Sequence, residues 1–260
     1  MRETMYHSDA VWQQYGQGPD YCERAAVVLD LIPEWAQWIL DVGCGSGDVL
    51  RALTAARQHL HAIGCDSSYV ACIRAPQPVI CAALPTLPFR DKSFDVVVCL
   101  EVLEHLDEEQ YVAAVREVDR LARYSVVIGV PYRETLQAKY VLCASCLNSS
   151  HADGHVRSYS IGDLYNLLPA FQLCKIVLTG IKKKRQSKIG SWLTMRIGGR
   201  YYHPKLFCCP YCGSDSFLEQ RPNVPPLLGK LTALLCHILT MYARPMPYWI
   251  IGLYERRRAY

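Results

Sequence analysis

The sequence predicts an α/β protein built on a largely parallel sheet. Three observations carry this prediction: short apolar runs alternate with segments of helical periodicity, one run ends in a glycine-rich turn, and the following run ends in a carboxylate. Parallel sheets bind ligands beyond the carboxyl ends of their strands, where the chain crosses over to a helix. The turn and the carboxylate are therefore expected at one edge of the sheet.

The first predicted strand ends in the glycine-rich turn. Residues 39–47 read Ile-Leu-Asp-Val-Gly-Cys-Gly-Ser-Gly. Glycines at alternate positions let the backbone turn sharply and let a ligand approach the main chain, and the next helix offers its N-terminal amides to that ligand. In dinucleotide sites the third glycine falls one position later. Here the spacing is Gly43, Gly45 and Gly47, with Asp41 two residues ahead of the first.

Asp66 closes the second predicted strand, residues 61–66. A carboxylate at this strand tip can accept hydrogen bonds from both hydroxyls of a ribose. The remaining strands are predicted over residues 78–81, 96–100, 125–131, 171–179 and 248–254. Helix starts are predicted at Asp107 with Gln110 and at Ser160 with Asp163, because each pair has the spacing of a capping box.

Together these motifs resemble those of small-molecule class I S-adenosylmethionine-dependent methyltransferases, in a type 11-like group whose fourth strand follows a Leu-Pro-Phe and a Ser-Phe-Asp segment. Both segments are present, at residues 87–89 and 93–95. The resemblance covers about residues 20–180 and 247–255. It implies a Rossmann-like seven-stranded sheet that binds S-adenosylmethionine. The implied regions are an N-terminal helical cap (1–36), a cofactor-binding core (37–180), an insertion (181–246) and the final strand of the core sheet (247–260).

The resemblance also implies which residues bind the cofactor. The glycines would cradle its methionine part, Asp41 would help hold the ammonium group, and Asp66 would bind the ribose. Ala83 and Leu84 would line the adenine, although Ala82 stands where many relatives carry an acidic residue. The implied set is Asp41, Gly43, Cys44, Gly45, Gly47, Asp66, Ser67, Ala83, Leu84 and Glu101.

The chain has thirteen cysteines, and its N-terminus lacks the apolar core of a secretory signal. Reduced thiols or metal ligands are therefore expected rather than a disulfide framework. Two Cys-x-x-Cys pairs suit a structural tetrahedral zinc site that would pin the insertion onto the core. The four ligands would be Cys143, Cys146, Cys209 and Cys212. The alternatives are a Cys/His site, in which His151 and His155 join the first pair, and no metal at all.

Histidines supply the candidate catalytic bases. His151 and His155 lie in a short run with Asp153 and Arg157, a set suited to removing a proton from a hydroxyl, an amine or an acid. The run resembles one that borders the acceptor pocket in relatives, so both histidines are predicted as substrate-side groups. His105, after the fourth strand, is the third candidate. The alternative for each is a structural role as a packed or loop-orienting histidine.

The predicted insertion opens with the basic run at residues 182–185 and ends with an apolar stripe at helical spacing over residues 226–243. This helix is expected to pack on the core or on a second copy in a homodimer. Peripheral membrane contact beside a lipid-linked acceptor is the alternative, since the basic run can attract an anionic surface. The formal net charge of +4 is too small and too spread to indicate a nucleic-acid partner.

The predicted activity is methyl transfer from S-adenosylmethionine to an oxygen or nitrogen of a small molecule, or of a saccharide- or lipid-linked precursor. The predicted location is the cytoplasm, with attachment to the inner membrane face as the alternative. A catalytically silent scaffold that binds a partner through the zinc-pinned insertion is one rival function. Protein or nucleic-acid methylation is another, ranked lower because the sequence has no Asn-Pro-Pro-Tyr-like motif.

Overall fold

The computed structural model describes residue 12, residues 19–76 and residues 78–257, without the side chains of residues 19 and 20. These residues form two compact units. The sheet unit comprises the described parts of residues 6–132, 159–181 and 247–260. The cysteine unit comprises residues 133–158 and 182–246.

The strands and helices are numbered in chain order. The strands are β1 (Trp38–Val42), β2 (His61–Asp66), β3 (Val79–Cys81), β4 (Phe94–Leu100), β5 (Ala122–Pro131), β6 (Tyr140–Cys143), β7 (Ser149–His151), β8 (Phe171–Thr179), β9 (Lys183–Lys184), β10 (Phe217–Leu218), β11 (Pro245–Met246) and β12 (Trp249–Arg256). The α-helices are α1 (Pro19–Leu31), α2 (Asp48–Ala56), α3 (Tyr69–Arg74), α4 (Glu108–Leu121), α5 (Ile161–Tyr165), α6 (Lys188–Arg196) and α7 (Pro226–Met241).

The sheet unit contains a seven-stranded sheet in the order β3-β2-β1-β4-β5-β12-β8. Strand β12 runs antiparallel to both of its neighbours, and the pairs among β1 to β5 are parallel. The predicted seven-stranded α/β sheet is thereby confirmed. Because β1 lies between β2 and β4, the carboxyl ends of these three strands meet at one edge, where parallel sheets bind ligands.

The core of the sheet unit follows from its apolar pattern. Val96, Val97 and Val98 of β4 are fully buried, as expected for a strand that helices cover on both faces. Helix α4 starts where predicted, because the carboxylate of Asp107 accepts a hydrogen bond from the backbone N–H of Gln110 at 2.9 Å. Apolar residues of α1, α2 and the central strands pack together in one buried cluster.

The cysteine unit is organised differently. Strands β10, β6 and β7 form a small antiparallel sheet, β9 pairs with β11, and α6 packs against α7. Its buried apolar cluster is small and includes two of the cysteines. None of the helices in the described part of the chain combines the length and the apolar character that crossing a membrane requires.

The division of the chain differs in one place from the predicted regions. Residues 133–158, which the sequence analysis assigned to the core, cluster with residues 182–246. The cysteine unit is therefore built from two stretches of chain rather than one insertion. Of the predicted N-terminal cap, α1 and Trp12 are described, whereas residues 1–11 and 13–18 lie outside the described residues.

Candidate functional site

The glycine-rich turn joins β1 to α2. The backbone N–H groups of Gly43 and Cys44 both donate to the carbonyl of Cys65, at 2.8 and 3.0 Å. Gly43 and Gly47 have φ angles of +72° and +84°, which side chains rarely adopt. A Cβ on Gly47 would also lie 2.4 Å from Cδ of Pro76. The local fold therefore requires glycine at these positions.

Asp66 holds the turn from the neighbouring strand. One carboxylate oxygen accepts from the N–H of Gly45 at 2.9 Å, and the other accepts from the N–H of Ser68 at 2.8 Å. Trp12 lies against the same turn: its indole N–H donates to Oγ of Ser68 at 3.2 Å, and a Cβ on Gly45 would lie 2.8 Å from its ring. Asp66 therefore joins the glycine-rich turn to the segment that follows β2.

Asp41 is the second acidic group at this edge of the sheet. Its side chain is buried, and Oδ2 makes no hydrogen bond within the described residues. Burial raises its pKa to about 7, and the positive charge of Arg24 opposes that rise. A buried carboxylate oxygen without a partner fits a cationic ligand group. The turn and its two acidic side chains thus fit a ligand that carries an ammonium group and a ribose.

The other predicted cofactor residues lie around the same edge. Ser67 and Ala83 are exposed and Leu84 is half-buried, so all three follow β2 and β3 near the surface. Glu101 follows β4 with a φ of +56°, and its N–H donates to the carbonyl of Gly129 at 2.9 Å. Cys44 is buried within the turn itself, and burial raises the pKa of its thiol far above the usual range. Its thiol therefore stays protonated.

The four predicted metal ligands come together in the cysteine unit. Their sulfur atoms all lie within 4.8 Å of one another, with 3.6 Å between Cys143 and Cys212 and 3.6 Å between Cys146 and Cys209. These separations are too long for disulfides. Four sulfurs placed tetrahedrally about 2.3 Å from a zinc ion would be about 3.8 Å apart, close to what is observed.

The two Cys-x-x-Cys pairs share one backbone design. Cys143 donates its N–H to the carbonyl of Asn148 and accepts from Leu147, while Cys209 donates to the carbonyl of Ser214 and accepts from the N–H of Gly213. Leu147 and Gly213 both have positive φ angles. Each pair therefore forms the same tight turn, which aims two thiols at a common point. Cys208 is outside the cluster, and its thiol donates to the carbonyl of Gly213.

His151 and His155 belong to a different cluster from the cysteines. Nδ1 of His155 lies 2.5 Å from Oε2 of Glu134, and the two imidazole rings stack with centroids 4.7 Å apart. Lys139 Nζ lies 2.7 Å from Asp153 and 3.2 Å from Glu134. The geometry therefore favours the four-cysteine set over the Cys/His alternative.

The protonation of this cluster can be read from its contacts. Nδ1 of His151 accepts from the backbone N–H groups of Asp153 and His155, so the proton lies on Nε2, which faces Glu134 at 3.7 Å. Burial and the neighbouring His155 lower the pKa of His151 to about 4. Burial opposes the ionisation of Glu134, but its contacts with His155 and Lys139 hold its pKa well below the usual range. The cluster is an ionised carboxylate beside a neutral His151.

His105 ends a short 3₁₀ turn after β4 and is half-buried in the sheet unit. Sequence reasoning missed Glu134 and Lys139 altogether. Glu134 follows the end of β5, a position where polar residues commonly serve a site. Nothing in the sequence, however, pairs it with a histidine 21 residues away.

Comparison with known proteins bears on the same segment. Residues 40–127 match the family described as "Methyltransferase domain". A probable S-adenosylmethionine-dependent methyltransferase of Mycobacterium tuberculosis is 35% identical over 106 residues, which cover 38% of this chain and 38% of that protein. A human protein named "Probable tRNA methyltransferase 9B" is 32% identical over 95 residues, or 35% of this chain and 19% of the relative. The chain thus matches about a fifth to two fifths of the length of these relatives.

A solved structure has the same fold. A chain of the complex between the Haloferax volcanii Trm112 methyltransferase activator and a methyltransferase superposes with a TM-score of 0.58 at 12% identity, covering 100% of this chain and 98% of that chain. Residues 40–127 thus match a methyltransferase domain, and the sheet has the fold of solved S-adenosylmethionine-dependent methyltransferases. The matched segment of the chain runs from β1 to β5 and contains Asp41, the glycine-rich turn and Asp66.

Proposed function

We propose that this methyltransferase transfers the methyl group of S-adenosylmethionine to an oxygen or nitrogen of a small molecule, or of a saccharide- or lipid-linked precursor. The observation that carries the proposal is the buried carboxylate of Asp41, whose Oδ2 has no hydrogen bond within the described residues, beside the turn of left-handed glycines. A sulfonium amino acid offers the ammonium group that such a carboxylate needs.

Each residue of the turn has a role in this proposal. Asp41 in its ionised form would pair with the ammonium group, and Asp66 would accept from the ribose while it holds the amides of Gly45 and Ser68. Ala82 has no polar side-chain group to meet the adenine amino group, so Ala83 and Leu84 would line the base by apolar contact. Trp12 would shield the turn from water. The wall of the cofactor site would be completed by Ser67, Cys44 and Glu101.

When bound, S-adenosylmethionine supplies a methyl group that is already activated by the positive sulfur. The residues of the chain then need only to align the acceptor, exclude water and, for a hydroxyl acceptor, remove a proton. The pair formed by His155 and Glu134 has the composition of an imidazole that a carboxylate orients. The catalytic roles of His155, His151 and His105 remain predictions of the sequence.

We also propose a structural zinc ion held by Cys143, Cys146, Cys209 and Cys212. The support is the matched geometry of the two turns and the spacing of the four sulfurs. The site would be closed by four protein ligands, which is typical of structural rather than catalytic zinc. Because all four cysteines lie in the cysteine unit, the ion would join the two chain segments of that unit.

A second candidate acceptor is tRNA. The name of the human relative points in this direction. Two acceptor preparations distinguish tRNA from the proposed acceptors. The purified protein is incubated with methyl-labelled S-adenosylmethionine and either lipid-linked glycans or total tRNA. Label in the lipid and saccharide fraction supports the proposed acceptor class, and label confined to tRNA replaces it with nucleic acid.

Calorimetry with S-adenosylmethionine and S-adenosylhomocysteine tests the cofactor site. The variant Asp66→Asn is expected to weaken binding about 30-fold, since charge-assisted hydrogen bonds to a ribose are lost. Asp95→Asn is the matched control, because Asp95 also accepts from two backbone N–H groups, those of Gln37 and Trp38, at the start of the strands. Equal weakening in both variants would contradict the site. No binding by folded, zinc-loaded wild type would favour the scaffold alternative.

A further inference from the structure

The helix pair formed by α6 and α7 places small residues inside and bulky apolar residues outside. Gly190 of α6 meets Cys236 of α7 so closely that a Cβ on Gly190 would lie 2.7 Å from Cα of Cys236. Oγ1 of Thr194 donates to the carbonyl of Thr232 at 3.1 Å. Gly198, just beyond α6, completes a series at four-residue spacing. The small residues let the two helices pack closely and leave their bulky side chains on the outer surface.

The outer surface of this helix pair is apolar and exposed. Leu227, Leu231 and Leu234 of α7 are 68%, 55% and 56% exposed. Ile189 and Trp192 of α6 are also exposed apolar side chains. Proteins in water rarely expose an apolar surface of this kind unless it binds a partner or a membrane. The pair is too short to span a bilayer but long enough to lie in its interface.

A cationic cavity of about 310 Å³ lies at one end of the helix pair, where α6 begins and α7 ends. The cationic side chains that line it are those of Arg133, Arg185, Lys188 and Arg244. Arg133, Lys188 and Arg244 form no ion pair with any carboxylate of the described residues, and the part of the lining that is described contains no acidic side chain. Such a cavity suits a phosphate group.

The walls of this cavity are tied together. The hydroxyl of Thr135 donates to the carbonyl of Gln186 at 2.8 Å, and Nζ of Lys184 donates to the carbonyl of Met241 at 2.7 Å. Strands β9 and β11 pair across the same region. The three chain segments that carry the cations are therefore fixed relative to one another before any ligand binds.

Charge extends beyond the cavity. Residues 182–246 contain eleven Lys and Arg but only two acidic residues, against a net charge of +4 for the whole chain. This concentration argues for an anionic partner rather than a second copy of the chain, because a symmetric dimer through this face would oppose like charges.

We infer that the helix pair is the docking surface for an anionic lipid membrane, with the bulky side chains of α6 and α7 in the interface and one lipid phosphate in the cationic cavity. Apolar contact and charge attraction act together in this mode of attachment. The inference does not depend on methyl transfer, since it concerns residues outside the cofactor site.

Flotation of the full chain with vesicles tests the inference. We expect binding to vesicles of phosphatidylcholine with phosphatidylglycerol and little binding to phosphatidylcholine alone. Lys188→Gln with Arg244→Gln should weaken binding about 30-fold, from the loss of two surface cations. Leu231→Gln with Leu234→Gln should weaken it about tenfold or more, from the loss of apolar burial. Matched controls are Lys205→Gln, an exposed lysine outside the cavity, and Val112→Gln on α4.

Four results would overturn the inference. If Lys205→Gln weakens vesicle binding as much as the cavity variants do, the attraction comes from the overall positive charge and not from the cavity. Vesicle binding that survives the α7 variants would exclude the helix pair. Binding of inorganic pyrophosphate or tRNA through the cavity cations, without vesicle binding, would assign the cavity to a soluble phosphate or to nucleic acid. Light scattering gives the last test. If the wild-type chain is a dimer that does not bind vesicles, and the α7 variants are monomers, the apolar face binds a second copy of the chain.

Discussion

The two units of this chain are stabilised by different physical means. The sheet unit has a large apolar core, in which a central strand such as β4 is buried on both faces. The cysteine unit has a small apolar core and depends on two polar clusters, the four thiols and the charged group around Glu134. Apolar burial depends little on pH or metal supply, whereas thiolate and carboxylate clusters depend on both. The two units should therefore respond differently to the same treatments.

Removal of the metal should produce the largest difference in stability between the two units. We expect Cys209→Ser to abolish zinc binding and to unfold the cysteine unit, because structural zinc binding contributes on the order of 10 kcal/mol, comparable with the stability of a whole domain. Hydrogen exchange on the full chain should show β6 and β7 unprotected and β4 and β5 still protected. Zinc content is measured by elemental analysis.

Cys208→Ser provides the matched control for this experiment. Its thiol neighbours the cluster but donates to a carbonyl instead, so zinc content and protection should be unchanged. Equal damage from both variants, or a wild-type chain that binds no zinc, would contradict the four-cysteine site.

The second-largest expected effect is the destabilisation of the cysteine unit by acid. The pKa of His151 falls to about 4 in the folded state, against an unperturbed value near 6.5, so the unfolded chain binds more protons between these values. Stability from His151 is present above pH 6.5 and is lost as the pH falls to 4, with a total of roughly 3 kcal/mol. The pKa values of Glu134 and Asp153 are also lowered, which extends the loss to lower pH.

Urea unfolding at pH 7, 6 and 5 measures this effect. His151→Gln should be less stable than wild type at pH 7 but should lose less stability on acidification. The exposed His59 of the sheet unit offers the control His59→Gln, which should keep the wild-type pH dependence. A wild-type stability that is flat from pH 7 to pH 5 would refute the assignment.

The sheet unit should show a smaller pH dependence, which concerns its affinity for the ligand rather than its stability. Because the pKa of Asp41 is raised to about 7, its carboxyl is protonated at pH 6 and ionised at pH 8. The ammonium group of S-adenosylhomocysteine pairs only with the ionised form, so affinity should rise about tenfold from pH 6 to pH 8. Calorimetry at the two pH values checks this. Asp41→Asn should remove the dependence and Asp95→Asn should keep it, and a flat wild-type profile would argue against the ammonium contact.

The contrast also explains what could be predicted from the sequence. The sheet was predictable because apolar runs, glycine spacing and capping residues such as Asp107 and Ser160 are local signals. The four cysteines were predictable as a set because paired thiols have a recognisable spacing. The cluster around Glu134 was not, since a buried ion pair needs neither periodicity nor fixed spacing. The positive charge of residues 182–246 was visible in the sequence but was hidden by the whole-chain total of +4.

Strand β12 has a consequence for the order in which the chain is synthesised. It lies between β5 and β8 in the sheet, yet every residue of the cysteine unit precedes it in the sequence. On the ribosome the growing sheet therefore has a gap between β5 and β8 while residues 182–246 emerge. During that interval two strand edges are open to wrong pairing. The cysteine unit can complete its own contacts first, and β12 then closes the gap by pairing with both edges at once.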